Sequence, residues 1–146
     1  MVYFGQGAFS LCKSLKNVSL PSSLTSLDGT FNFCNSLVEV VIPSSVTIIG
    51  DFAFDECHSL KHIDIHSKVT RICKYAFRNC LSLAQIVIPS SVTAIEKYAF
   101  EGCSSLKEVM ISNKQTKINY DAFYECELLK NLPYYPDGTK VKGLLI

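Results

Sequence analysis

Six phenylalanines return at almost one interval, at Phe9, Phe31, Phe54, Phe77, Phe100 and Phe123. Cysteines stand three residues after them, at Cys12, Cys34, Cys57, Cys80, Cys103 and Cys126. Leucines follow three residues later again, at Leu15, Leu37, Leu60, Leu83, Leu106 and Leu129. In all three series the steps are 22, 23, 23, 23 and 23 residues. One fixed period leaves few folds open. Each unit can bury its apolar side only against the next copy of itself, which predicts a solenoid.

Within a unit the first stretch reads Leu-x-x-Val-x-Ile, as at 15–20, 37–42, 60–65, 83–88 and 106–111. Alternation with β-branched residues predicts a short strand there. Pro21, Pro43 and Pro89 end it in three units, because proline has no N–H to give a ladder. His66 and Ser112 take that place in two others. The stretches 45–49 and 91–95 predict a second, shorter strand on the opposite side. Ala-Phe-x-x-Cys then brings the chain round, in a turn or one coil of 3₁₀ helix. Thr30 replaces the alanine in the unit that is one residue short, and the deletion falls at Asp28-Gly29, where a turn absorbs it.

The array is expected to span 1–133. Residues 1–9 form a partial first repeat, in which Phe4 holds the place of Ile49, Ile72, Ile95 and Ile118, so the chain reads as part of a longer array or one with an unusual cap. After Leu132 the pattern fails. Residues 134–146 read as a C-terminal extension or cap, with a hairpin turn at Pro136-Asp137-Gly138.

Of 146 residues, 14 are Lys or Arg and 13 are Asp or Glu, a net charge of +1. That balance gives no phosphate-binding surface, so no nucleic-acid partner is expected. An apolar content of 48% excludes disorder. No apolar run approaches the roughly 20 residues of a membrane span. The stretch 1–7 lacks the form of a signal peptide. Six of the seven cysteines share one repeat position, and Cys73 lies off register where Gly50 and Glu96 stand. Stacked equivalent side chains point in parallel, so buried thiols packing as small apolar groups are expected, with oxidised pairs as the alternative.

The consensus Ile-Pro-Ser-Ser-Val-Thr-x-Ile-x-x-x-Ala-Phe-x-x-Cys-x-Ser-Leu closely resembles the BspA-like class of leucine-rich repeats, LRR type 5, over about residues 4–132. The resemblance implies a right-handed, strand-rich α/β repeat solenoid of about six 23-residue repeats. It would carry a parallel sheet on its concave face, with short second strands and 3₁₀ or helical turns on the convex side. Members are commonly surface or secreted microbial proteins that bind host proteins or other cells. The resemblance implies the same here: a non-enzymatic module, on the cell surface or secreted, with a host extracellular or cell-surface protein as partner. The family offers no catalytic motif and no cofactor to carry over.

Alternation turns two residues per strand outward: Asn17 and Ser19, Glu39 and Val41, His62 and Asp64, Gln85 and Val87, Glu108 and Met110. Lys16, Val38, Lys61, Ala84, Lys107 and Lys130 precede them. Val41, Val87 and Met110 place apolar side chains among polar ones, as protein interfaces do. The plainer reading is a surface that tolerates them without a partner, and a spacer role within a longer surface protein is the alternative function. His62, Asp64 and His66 share a strand face and offer a candidate metal site. Alternate strand residues lie roughly 6.6–6.8 Å apart, however, so one ion would need a bend at the strand end. A Cys57–His58 nucleophile is disfavoured because that cysteine should be buried. Asn17-Val18-Ser19 matches a glycosylation sequon within a predicted strand. Lys68, Lys74, Lys97, Lys114 and Lys117 read as solvated residues of turns and the convex face. An uncovered edge at 18–20 predicts end-to-end self-association.

Overall fold

The structure is a computed structural model that describes residues 5–129 and 133–146. Phe4, Lys130 and Leu132 lie outside the described residues. Among the described residues there are seven strands: β1 (Ser26–Leu27), β2 (Ile48–Ile49), β3 (Arg71–Ile72), β4 (Gln85–Ile88), β5 (Ala94–Ile95), β6 (Glu108–Ile111) and β7 (Lys117–Ile118). They form two parallel sheets. One has five strands in the order β1-β2-β3-β5-β7, and the other pairs β4 with β6. Leu27, Ile49, Ile72, Ile95 and Ile118 share one register, so the repeat period is also the pairing period.

The second strands are the shorter ones, as expected, but the two predicted strand positions differ in how continuously they pair. The second, shorter strands make the more continuous sheet, although each contributes only two residues. Of the five Leu-x-x-Val-x-Ile stretches, those at 83–88 and 106–111 contain full strands. Elsewhere on that face Glu39 and His62 form a single bridge, and Val38 N–H and Lys61 N–H bond Lys16 O and Val38 O at 3.2 and 3.1 Å. Regular pairing is concentrated where a further segment covers the stack. Tyr134 N–H bonds Val109 O and Ile111 N–H bonds Tyr134 O, so β6 has partners on both sides. Tyr134 also bridges Lys140 in antiparallel fashion, and Val141 is buried in the core.

Among the described residues the convex side carries turns and no helical segment, 3₁₀ or α. The hydrogen bonds explain this. Ala53, Asp55 and Cys57 N–H bond Gly50, Phe52 and Phe54 O within their own coil, at 3.3, 3.4 and 3.2 Å. The alternate groups, Phe52, Phe54 and Glu56 N–H, cross to Lys74, Ala76 and Arg78 O of the next coil at 3.0, 2.7 and 2.9 Å. A 3₁₀ helix needs successive i→i+3 bonds, and here every second donor goes to the neighbouring coil. Two left-handed residues flank the phenylalanine to make that possible: Phe52 and Glu56 (φ 56° and 61°), then Tyr75 and Asn79 (57° and 55°). Each costs about 1–2 kcal/mol in a residue with a Cβ, offset by the cross-coil bonds the turn permits.

The core is a set of columns. Phe9, Phe31, Phe54, Phe77, Phe100 and Phe123 stack with centroids 5.1–5.5 Å apart and planes within 14° of parallel. From Phe31 onward the rings are fully buried. The thiols beside them are all free. They are more than apolar filler. Cys34, Cys57, Cys80, Cys103 and Cys126 each donate to the carbonyl of the preceding unit's phenylalanine at 3.0–3.2 Å. Burial, and then neighbouring Cys12, push the Cys34 thiol up to about 11, and burial drives Cys57, Cys80 and Cys103 higher still. Thiolates are the reactive species. Cys12 alone among the seven is exposed. A disulfide reagent applied to the native protein should therefore consume one thiol quickly and the remaining six only after unfolding. Several fast equivalents would contradict the buried column.

The missing residue at Asp28-Gly29 leaves its mark one coil on. It brings the Asp28 carboxylate over Gly50, where a Cβ would lie 1.8 Å from Oδ1 and 2.6 Å from Leu27 O. Only the absence of a side chain fits. Gly50→Ala should cost about 2 kcal/mol, because the backbone carbonyl cannot turn away as a flexible side chain can. Denaturant unfolding measures it, and an unchanged midpoint would refute the contact.

Candidate functional site

The outward positions of the Leu-x-x-Val-x-Ile stretches form two parallel columns. The inward residues explain why they are held. Leu37, Val40 and Ile42, Leu60, Ile63 and Ile65, Leu83, Ile86 and Ile88, and Leu106, Val109 and Ile111 are all buried. Alternation then leaves the intervening side chains at the surface. Asn17, Ser19, Glu39, Val41, His62, Asp64, Gln85, Val87 and Glu108 are exposed. Val41 is 82% and Val87 52% exposed, large values for β-branched apolar residues on an ordered face. Met110 is half-buried, because Tyr134 pairs alongside it.

Two grooves divide this face. One, of about 320 Å³, is lined by Gln85, Val87, Glu108, Met110 and Tyr134 together with residues 62–65. The other, of about 470 Å³, is lined by Asn17, Glu39, Val41, His62, Asp64 and His66, with buried neighbours beneath. His62 and Asp64 belong to both and form the ridge between them, with Nε2 and Oδ1 3.1 Å apart. Ser19 lines neither groove. The Tyr134 hydroxyl donates to Glu108 Oε1, and that bond raises the phenol above its ordinary range. Tyr134 closes one end of the first groove and was not among the residues that alternation identified. It lies beyond the last repeat, and its only sequence signal is the aromatic pair Tyr134-Tyr135 after the pattern stops.

The candidate metal set is divided by its own hydrogen bonds. His66 Nε2–H donates to Pro43 O at 2.9 Å, while its Nδ1 accepts from Lys68 N–H at 3.2 Å. Both ring nitrogens of His66 are thus engaged away from the His62–Asp64 pair.

Comparisons with known proteins place these features in a family. The family model described as the BspA type leucine rich repeat region matches residues 1–30 and 28–142, in six copies. A leucine-rich repeat protein from Bacteroides ovatus is 32% identical, with a TM-score of 0.77 over 86% of this chain and 33% of its own. The leucine rich repeat protein of T. pallidum is 30% identical, with a TM-score of 0.76 over 89% of this chain and 64% of its own. A leucine rich cell surface protein from Faecalibacterium prausnitzii, 23% identical with a TM-score of 0.52 over 88% of this chain and 62% of its own, shares the fold. This chain therefore spans a third to under two thirds of the length of these structures. No curated protein sequence matches it. Among the described residues no helix is long and apolar enough to cross a membrane. The six-fold match across nearly all of the sequence, together with its stacked 23-residue coils, shows that the chain belongs to the BspA-type leucine-rich repeat family.

Proposed function

We propose that this chain is a non-enzymatic protein-binding module, part of a microbial cell-surface or secreted protein, whose ligand lies across the concave face. The observation that carries this reading is the exposure of Val41 and Val87 on a face whose other outward positions, Met110 apart, are polar or charged. Apolar side chains held in ordered columns gain about 25 cal/mol for each Å² a partner covers. The carboxylates of Glu39, Asp64 and Glu108 and the imidazole of His62 supply orientation around them. The surface location is supported by the family and by the description of the Faecalibacterium protein as a cell surface protein.

The test is capture of proteins from host-cell surface extracts by the immobilised chain and by a Glu39→Lys, Asp64→Lys, Glu108→Lys variant. The variant should keep its circular dichroism spectrum and melting temperature and lose the captured protein. Equal capture by both would sink the concave-face assignment. A second reading, a repeat spacer within a longer protein, is favoured by the short span of this chain relative to its structural neighbours. Absence of any capture by the unmodified chain would support the spacer.

A further inference from the structure

Asp51, Cys73 and Glu96 come from three successive coils, just after β2, β3 and β5. They lie on the five-stranded sheet, away from the concave columns. The stacking of that sheet brings one carboxylate oxygen of Asp51, the Cys73 sulfur and one carboxylate oxygen of Glu96 within 4.8 Å of one another. Cys73 differs from the other buried cysteines. It is off the repeat register, it is 6% exposed, and among the described residues its thiol has no hydrogen-bond acceptor, whereas five repeat thiols each donate to a phenylalanine carbonyl. A buried sulfur thus stands beside two carboxylates without a hydrogen bond among the described residues.

The carboxylates are already oriented. Lys74 N–H donates to Asp51 Oδ1 at 3.0 Å, and Arg71 Nη2 to Glu96 Oε1 at 2.6 Å. Among the described residues the second oxygen of each makes no hydrogen bond. Outer partners that fix the ligand groups in this way raise their effectiveness toward a metal. We propose that Asp51, Cys73 and Glu96 bind a zinc ion that clips three consecutive coils together, with water at the fourth position. Zinc accepts both sulfur and oxygen donors, at about 2.3 Å and 2.0–2.2 Å. In a tetrahedral site such donors stand about 3.5 Å apart, so the three need close in by only about 1 Å, within reach of side-chain rotation. Calcium and magnesium take oxygen ligands and would leave the sulfur unused. Formation of the Zn–S bond releases the thiol proton to solvent, and no oxidant or reductant takes part. Burial, and then the Glu96 charge, push the Cys73 thiol up to about 11, so without metal the proton stays on sulfur.

Cobalt(II) tests this, because sulfur bonded to cobalt adds a charge-transfer band in the near ultraviolet that oxygen ligands lack. Chelator-treated chain without an affinity tag should bind one equivalent of cobalt, show that band, and lose it when zinc is added. Cys73→Ala should abolish the band. Asp51→Asn and Glu96→Gln, at less buried positions that leave the fold intact, should each weaken binding at least tenfold, while His62→Ala leaves it unchanged. Zinc should raise the melting temperature of the unmodified chain and not that of Glu96→Gln. Cobalt binding without the sulfur band would overturn the proposal. So would affinity that Asp51→Asn and Glu96→Gln leave untouched, or failure of the unmodified chain to bind an equivalent.

Discussion

Phe77→Ala is expected to remove about 4 kcal/mol of stability, the largest loss from any single truncation in this chain. The ring is fully buried and sits between Phe54 and Phe100, with centroids 5.2 and 5.1 Å away and planes within 7°. Its removal costs the transfer of a large apolar side chain, opens a cavity, and interrupts two ring contacts at once. A solenoid has no alternative packing to fill the gap, because each coil touches only its two neighbours. Phe77 lies mid-stack among the described rings, so its loss splits the column in two. Phe9→Ala removes a ring that is only half-buried and should cost clearly less. Urea unfolding of both variants measures the difference. Equal losses at the two positions would mean that the column does not carry the core.

Much of this was legible because a period constrains residues three at a time. Phe, Cys and Leu at one interval fix which side chains stack, and alternation in Leu-x-x-Val-x-Ile fixes which face the core. Inward Val40, Ile63, Ile86 and Val109 and outward Glu39, His62, Gln85 and Glu108 follow from that. The turns were less legible for a physical reason. Left-handed backbone is usually signalled by glycine, but here Phe52, Tyr75, Glu56 and Asn79 adopt it, because hydrogen bonds to the next coil outweigh the local cost. Periodicity also says nothing of what a buried thiol bonds to, and the donation to phenylalanine carbonyls needed coordinates. Tyr134 was missed because it lies past the last repeat, where the pattern no longer guides. One signal was available and unused. Asp55, Arg78 and Glu101 occupy a single repeat position, so their opposite charges must meet along the stack.

That column carries the second large effect. Arg78→Met is expected to cost about 3 kcal/mol near neutral pH and distinctly less in mild acid. Arg78 makes two bonds to Asp55, Nε to Oδ1 at 2.7 Å and Nη2 to Oδ2 at 2.8 Å. The Asp55 side chain is only 1% exposed, against 29% for Arg78, so the partners are not equivalent. If Asp55 is lost, the guanidinium can turn toward water. If Arg78 is lost, a carboxylate is left buried and uncompensated. Methionine keeps apolar bulk near the rings of Tyr75 and Phe52, whose centroids lie 4.9 and 5.8 Å from the guanidinium carbon, so the change reports mainly on charge. Burial already pushes the Asp55 carboxyl up against the pull of Arg78. Without that pull it rises further above its unfolded value of about 3.9. A folded state that holds a proton more tightly than the unfolded state loses stability as pH rises from the unfolded pKa through the folded one. The variant's deficit should therefore shrink as the pH falls from about 7 toward 4, where the buried carboxyl is neutral. Asp55→Ala combined with Arg78→Met removes the stranded charge and should be more stable than Arg78→Met alone at neutral pH. A deficit that stays constant with pH, or that the second substitution deepens, would show that the pair does not act through a buried charge.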